Sequence, residues 1–362
     1  MEHALYDPQS GYYAAAARRS GRHGDFFTSV DVGATFGELL ELQIAEMAAL
    51  LPGPVDLVEA GAGNGRLAAD VVAAMAMRHP ALLERLRLHL VEASAQARAA
   101  QPDVLGAGRH VLASSAASLP EAFSGVLMAN ELLDAMPVHQ VVMRTDGLRE
   151  IFVDLAPDPE ASGGVPRLVT REGPPSTPAL DAYLAMVGAV LQPGWRAEIG
   201  LRAVEWVRDA ARRLQRGFIL LIDYGHEAAD LYSARHAGGT LTTFARHAAA
   251  GPESSATVPP WLLRPGEQDI TAHVDFTAVR RTAEAEGLRT LGLLDQTYFL
   301  LGLLDARSLE DPESSLETFK RRLALKTLLL PGGLGSTMKV LVLGKGVGAP
   351  ALRGCSYRVR LT

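Results

Sequence analysis

The sequence predicts an α/β protein built around a mostly parallel sheet with helices on both faces. Two observations carry that expectation. Short, nearly continuous apolar runs alternate with longer stretches of helical periodicity, and the sharpest apolar run passes into a glycine-rich turn that opens a helix. In chain order the strand candidates are Val55 to Glu59, Arg87 to Glu92, His110 to Ala113, Val126 to Asn130, Phe218 to Asp223, Arg289 to Leu294 and Met338 to Leu343. Among the helix candidates is Phe36 to Leu51, where Phe36, Leu39, Leu40, Ile44, Met47 and Leu51 recur at steps of three and four. Leu67 to Met77 and Thr277 to Glu286 are further candidates.

Two stretches interrupt the alternation. Between Gln140 and Pro178 the chain is richer in Pro, Gly and charge, with short runs at Ile151-Phe152-Val153 and Arg167-Leu168-Val169-Thr170, which reads as a small antiparallel insertion. From His226 to Gln268 it is rich in Ala, Gly, Pro and Ser with little periodicity, which reads as a long loop or lid. A chain of 362 residues that is 48% hydrophobic and 21% charged is neither a disordered nor a fibrous protein. Its net charge of −6 argues against broad attraction to nucleic acid or anionic membrane. The single cysteine, Cys355, can form neither an intramolecular disulfide nor a cysteine-rich zinc site. Met1 to Pro8 show no basic segment followed by an apolar run, and no uncharged stretch is long enough to span a bilayer. A cytoplasmic protein is therefore expected.

The strongest local signal is Val55-Asp56-Leu57-Val58-Glu59-Ala60-Gly61-Ala62-Gly63-Asn64-Gly65-Arg66-Leu67. Three glycines between a strand and a helix let the backbone approach a ligand closely at the carboxyl edge of the sheet. A dinucleotide fingerprint would place its last glycine where Arg66 stands, and a P-loop would need a Gly-Lys-Ser or Gly-Lys-Thr that is absent. The loop thus suits a nucleoside ligand without phosphates, or serves only as a tight strand-to-helix turn. Charge favours the ligand. Glu59 precedes the loop and Glu92 closes the next strand, where a carboxylate can accept both ribose hydroxyls. S-adenosylmethionine carries an ammonium and a sulfonium against one carboxylate, and an acidic pocket favours that cation while it would repel a pyrophosphate. Glu59, Gly61, Gly63, Gly65 and Glu92 are the expected cofactor contacts.

Further motifs give the chain a family resemblance along nearly its whole length. They are Pro8-Gln9-Ser10-Gly11-Tyr12-Tyr13, Gly24-Asp25-Phe26-Phe27-Thr28-Ser29, Phe36-Gly37-Glu38-Leu39, and Ala129-Asn130-Glu131-Leu132-Leu133-Asp134-Ala135-Met136-Pro137-Val138-His139. Ile222-Asp223-Tyr224-Gly225, Asp269-Ile270-Thr271-Ala272-His273-Val274-Asp275-Phe276 and Lys326-Thr327-Leu328-Leu329-Leu330-Pro331-Gly332-Gly333 complete them. With the glycine loop, the chain resembles the MidA-type class I methyltransferases, whose mitochondrial members are arginine methyltransferases that assist respiratory complex I assembly. The resemblance implies a seven-strand, Rossmann-like methyltransferase sheet with a helical N-terminal segment and inserted substrate-pocket and lid regions. On that basis residues 1–54 cover the cofactor, 55–140 bind it, 141–178 form the antiparallel insertion, 179–225 continue the core, 226–268 form the lid and acceptor pocket, and 269–362 complete the core. Two departures bear on the acceptor. Thr28-Ser29-Val30-Asp31 stands where the family often has Thr-Ser-Pro-Glu, and Thr240 to His247 replaces a more Tyr- and Arg-rich pattern.

Methyl transfer from a sulfonium is an in-line displacement, so positioning the nucleophile and excluding water are the main tasks. Candidates therefore sit at the carboxyl ends of neighbouring strands. Asn130 is placed with the cofactor. Glu131 and Asp134 can clamp a guanidinium by paired charge-assisted hydrogen bonds; alternatively Glu131 contacts the cofactor and Asp134 caps the next helix. Asp223 and Tyr224 line the acceptor pocket, or Asp223 caps a turn before Gly225. The resemblance places Thr28 and Ser29 at the methionine end of the cofactor, where the alternative is simple helix capping near Asp31. His273 and Asp275 alternate in an extended stretch and read either as a general-base pair or as structural hydrogen-bonding residues. The other histidines show no ligand spacing, and no metal is assigned. The leading expectation is an S-adenosylmethionine-dependent methyltransferase acting on an arginine side chain of a protein or peptide. A methyltransferase with a small-molecule O- or N-acceptor and a non-catalytic assembly protein are the alternatives. No membrane or nucleic-acid partner is expected, and a homodimer is left open.

Overall fold

The structure is a computed structural model, described here for residues 1–14, 29–157, 167–245, 248–252, 258–304, 316–329 and 338–357. The chain lays down β1 (Val55–Ala60), β2 (Leu86–Val91), β3 (Leu112–Ala116) and β4 (Phe123–Asn130). A first excursion forms β5 (His139–Arg144), β6 (Gly147–Leu155), β7 (Leu168–Gly173) and β8 (Arg196–Ile199) before the chain returns in β9 (Leu214–His226). A second supplies β10 (Thr242–Ala245), β11 (Ala248–Ala250), β12 (Asp269–Thr271) and the short β13 (Val274–Asp275), and β14 (Arg289–Asp295) and β15 (Met338–Lys345) close the fold.

The main sheet has the order β3-β2-β1-β4-β9-β15-β14. From β3 to β9 the pairs are parallel, and β15 runs antiparallel to both β9 and β14. β9 outlasts β4, whose last partner is Ile222, and β13 pairs with the free end of β9 through Gly225 and His226. Successive strand residues supply opposite faces, which explains the continuous apolar runs. Leu57, Val126, Phe218 and Val340 join one core with Phe36, Ile44 and Met75, while Val58, Leu127, Ile219 and Leu341 join another with Val207 and Val279. Helices Thr35–Ala49 and Arg66–Arg78 thus cover the first face, and helices Leu201–Arg213 and Phe276–Ala285 the second.

Two local expectations shift. Residues Gly106–Val111 form a 3-10 turn, so the third strand begins at Leu112 rather than His110. The antiparallel sheet β7-β6-β5-β8 takes its fourth strand from Arg196–Ile199, beyond the stretch whose composition marked the insertion. The second excursion carries a three-stranded sheet, β11-β10-β12, against which Leu5 and Tyr12 of the N-terminal segment are buried with Leu241, Trp261 and Ile270.

After β1 the chain builds outward to β2 and β3, then crosses back to place β4 on the other side of β1. Connections leave in opposite directions at that point and open a crevice above the carboxyl ends of β1 and β4. The helix that starts at the crevice is held close to its neighbour at Gly37, where an added Cβ would lie 2.5 Å from Asp70 Cβ. Gly37→Val is expected to destabilise the protein by about 1–3 kcal/mol through overpacking. A lowered denaturant midpoint with an unchanged slope would show it, and an unchanged midpoint would refute the close-approach reading.

Candidate active site

Gly61, Gly63 and Gly65 have φ values of 72°, 51° and 84°, a left-handed backbone that side chains disfavour. The loop they form is pinned from both sides. Glu92 Oε2 accepts the Gly63 N–H at 2.9 Å while its Oε1 accepts that of Ser94 at 2.8 Å, and Gln101 Nε2 donates to the Gly63 carbonyl at 2.8 Å. Gly61 and Ala62 donate their N–H groups to the Val91 carbonyl at the end of β2. Glu59 reaches under the loop and accepts the Ala68 N–H at 3.1 Å, so it serves the start of the helix Arg66–Arg78 as well as bordering the crevice. Burial pushes its carboxyl up to about 8.

At the end of β4 the backbone turns sharply at Glu131, whose φ of 51° is unusual for a residue with a side chain. Its Oε1 accepts from Asn130 Nδ2 at 3.1 Å and from the Ser29 N–H at 3.4 Å, and burial together with nearby Asp223 pushes its carboxyl up to about 8. Burial, reinforced by Asp223 and Glu131, raises the Asp134 carboxyl well above the carboxylate range. The crevice widens here into a cavity of about 1180 Å³. Glu131, Asp134 and Asp269 meet Tyr6, Tyr13 and Tyr224 along its wall, with Trp206 and Phe244 beside them. Tyr13 donates to Asp269 Oδ1 at 2.9 Å, and Tyr6 donates to the Ala135 carbonyl at 3.0 Å.

Of the residues singled out from sequence, Glu59, Gly61, Gly63, Glu92, Asn130, Glu131, Asp134 and His273 border this one cavity. Others take different places. Thr28 lies outside the described residues. Ser29 is fully buried behind Glu131, with its hydroxyl toward Gln296, and does not border the cavity. Gly65 ends the turn, where a Cβ would press on Leu90 and Gln101, so its φ and not a ligand requires glycine. Asp223 does not line the acceptor space: its oxygens accept the N–H groups of Leu132, Leu133 and Tyr224 at 3.1, 2.7 and 2.8 Å. Asp275 caps the helix Phe276–Ala285 through the N–H groups of Thr277 and Ala278, so the His273–Asp275 base pair is not formed. His273 packs instead near His226 and His236, and burial next to those rings lowers it to about 4. Tyr6, Tyr13, Asp269 and Trp206 were not picked out individually. The only signals for the first three were the motifs around Pro8 to Tyr13 and Asp269 to Phe276.

The parallel sheet, its glycine turn beneath an acidic crevice and the carboxylate after β2 define an S-adenosylmethionine-dependent methyltransferase. Two features fit the cofactor: the Cβ position of Gly63 is open, and the buried Oδ1 of Asn130 has no partner among the described residues. Residues 39–294 match the family described as "Putative S-adenosyl-L-methionine-dependent methyltransferase", and the chain belongs to it. A Burkholderia thailandensis protein crystallised with S-adenosyl-homocysteine superposes with a TM-score of 0.85 at 31% identity, over 98% of this chain and 88% of that one. The mitochondrial protein arginine methyltransferase NDUFAF7 of Mus musculus is 30% identical over 85% of this chain and 70% of its own. Its Drosophila melanogaster homologue is 29% identical over 96% of this chain and 80% of its own. S-adenosylmethionine is the cofactor. Among the described residues, no helix is long and apolar enough to cross a membrane.

Gly63→Val is expected to keep the fold and lower S-adenosylmethionine affinity at least ~10-fold, because a branched side chain at this φ fills the open cradle. Calorimetric titration beside a circular dichroism spectrum would measure both, and wild-type affinity would remove Gly63 from the cofactor site. A second expectation concerns pH. Glu59 and Glu131 sit near 8 against an ordinary 4.5, so the folded protein binds protons that the unfolded chain releases. Their stabilising contribution is complete below about 4.5 and is lost as pH rises through about 8. Cofactor-free protein should therefore melt at progressively lower temperature from pH 6 to pH 9, with a shallower decline in Glu131→Gln. An identical pH profile in that variant would contradict the assignment.

Proposed function

We propose that this enzyme N-methylates an arginine side chain of a protein or peptide. The single observation that carries the reading is the wall of the cavity beyond the glycine loop, where Glu131, Asp134 and Asp269 stand among Tyr6, Tyr13 and Tyr224. Two buried carboxyls, Asp134 and Asp269, and the half-buried Glu131 in an aromatic setting suit a planar, delocalised cation better than a neutral acceptor. The naming of the NDUFAF7 relatives as protein arginine methyltransferases supports the same acceptor.

In this reading Gly61, Gly63, Glu92 and Asn130 hold the cofactor, which supplies an electrophilic methyl group. Glu131 and Asp134 grip the guanidinium and direct one nitrogen toward it. Burial keeps these carboxyls protonated until a cation arrives, so acceptor binding displaces protons. Glu131, ionised by the bound guanidinium, then takes the proton that the methylated nitrogen gives up. Asp223 acts through backbone: it fixes the turn that presents both acids. The segment 226–268 contributes Thr242, Phe244 and Ala249 to the acceptor wall, which supports its reading as the acceptor-pocket insertion, with 141–178 as a separate antiparallel insertion. The named relatives are mitochondrial, which does not fit the cytoplasmic location expected from the sequence.

The test is transfer of a labelled methyl group into lysate, separated into protein and small-molecule fractions. Label is expected in protein and, after acid hydrolysis, in methylarginine; label confined to small molecules would overturn the arginine acceptor. Glu131→Gln should lower kcat by about 100-fold or more, within the range for loss of a general base, while S-adenosylmethionine still binds. Asp134→Asn should chiefly raise the acceptor KM.

A further inference from the structure

We propose that His226, His236 and His273 form a binding site for a first-row divalent transition metal ion, Zn²⁺ foremost, at the border of the acceptor cavity. The three rings converge from separate pieces of chain. His226 is the last residue of β9, His236 ends the one-turn helix Ala234–His236, and His273 lies between β12 and β13. The pairing of β13 with the end of β9 sets Val274 opposite Gly225, which brings His273 alongside His226. The centroids of His226 lie 4.8 Å from those of His236 and 5.2 Å from those of His273, and His236 and His273 are 5.9 Å apart.

Donor geometry and chemistry agree with a metal. One ring nitrogen from each histidine falls within 4.8 Å of the others, and among the described residues no other set of three His, Cys, Asp or Glu side chains does so. Bonds of about 2.1 Å to a tetrahedral ion would bring those nitrogens to roughly 3.4 Å, a closure within reach of side-chain rotation. His236 Nδ1 lies 3.0 Å from the Asp230 carbonyl, a contact that as a donated hydrogen bond leaves Nε2 its free lone pair. His273 Nδ1 is buried and has no hydrogen-bond partner, an unmet polar atom that a metal would satisfy. An all-imidazole set selects Zn²⁺, Ni²⁺ or Cu²⁺ over Mg²⁺ or Ca²⁺, which prefer oxygen. The charged groups facing His226 are Lys339, Asp230 and Asp295, and Asp295 pairs with Lys339, so the lysine does not stand as an isolated cation against the ion.

Such an ion would tie the segment after β9 to the strand that borders the cavity, and three protein ligands leave a coordination position for water or another group. Neither the cofactor site nor the arginine reading is required for it. The test uses the untagged full chain, stripped with a chelator and dialysed against Zn²⁺ or Co²⁺. One equivalent of metal per chain is expected, with the visible absorption of a Co²⁺–imidazole complex. His236→Gln and His226→Gln should each weaken Zn²⁺ binding by at least about 10-fold while leaving S-adenosylmethionine affinity unchanged. Absence of stoichiometric uptake would overturn the proposal, as would a His236→Gln variant, folded by its cofactor binding, that holds Zn²⁺ as tightly as the parent chain.

Discussion

Asp223 accepts N–H groups from Leu132, Leu133 and Tyr224, and through that contact the end of β9 holds the turn that follows β4. The carboxylate is buried, which pushes it up to about 6 even with these donors around it. A buried acid of this kind is costly unless the backbone satisfies it, and here it also satisfies the backbone. The turn it stabilises carries the left-handed Glu131 and the buried Asp134, so two neighbouring strand ends share one polar anchor. Strain at Glu131 persists because Asp223 on one side and the Glu131 N–H to Ile222 carbonyl bond on the other leave that residue little freedom.

The glycine loop follows the same logic one strand away. Glu92 and Gln101 hold the N–H and the carbonyl of Gly63, and Gln101 is itself held by Ser115 from β3. The loop is thus organised before any ligand arrives, which limits the ordering cost of binding. Acidity at the site has two characters. Glu92 keeps both oxygens on backbone donors, whereas Glu59, Glu131 and Asp134 are driven toward their neutral forms by burial. A cation entering the cavity therefore meets groups that ionise in response to it, and binding and proton release are linked.

Much of the fold was legible because strand and helix periodicity is local: seven of the eight strands of the main sheet, the third shifted by two residues at its start, and the helices from Phe36, Leu67 and Thr277 follow from spacing, whereas the short β13 does not. The glycine loop and Glu92 were legible because the turn and the next strand end lie close in sequence. Ser29, Asp223 and Asp275 each carried a functional and a structural reading in the sequence, and the structure gives each a structural role for a common reason. Each sits where a cofactor contact or a catalytic residue belongs in one dimension, but its side chain turns to backbone or core in three. His273 was read as a base candidate, but its convergence with His226 and His236 was not legible, since the spacing of the three matches no local ligand pattern.

The sequence by itself determined the layered α/β architecture, the nucleoside character of the crevice and the acids at the strand ends, because these depend on residues near one another along the chain. Only the tertiary structure decided which acids face the cavity, that Tyr6 and Tyr13 of the N-terminal segment complete its wall, and that His226, His236 and His273 meet. Those outcomes depend on strand order and register, where a shift of one residue turns every side chain to the opposite face. Local periodicity does not encode that choice; long-range packing does.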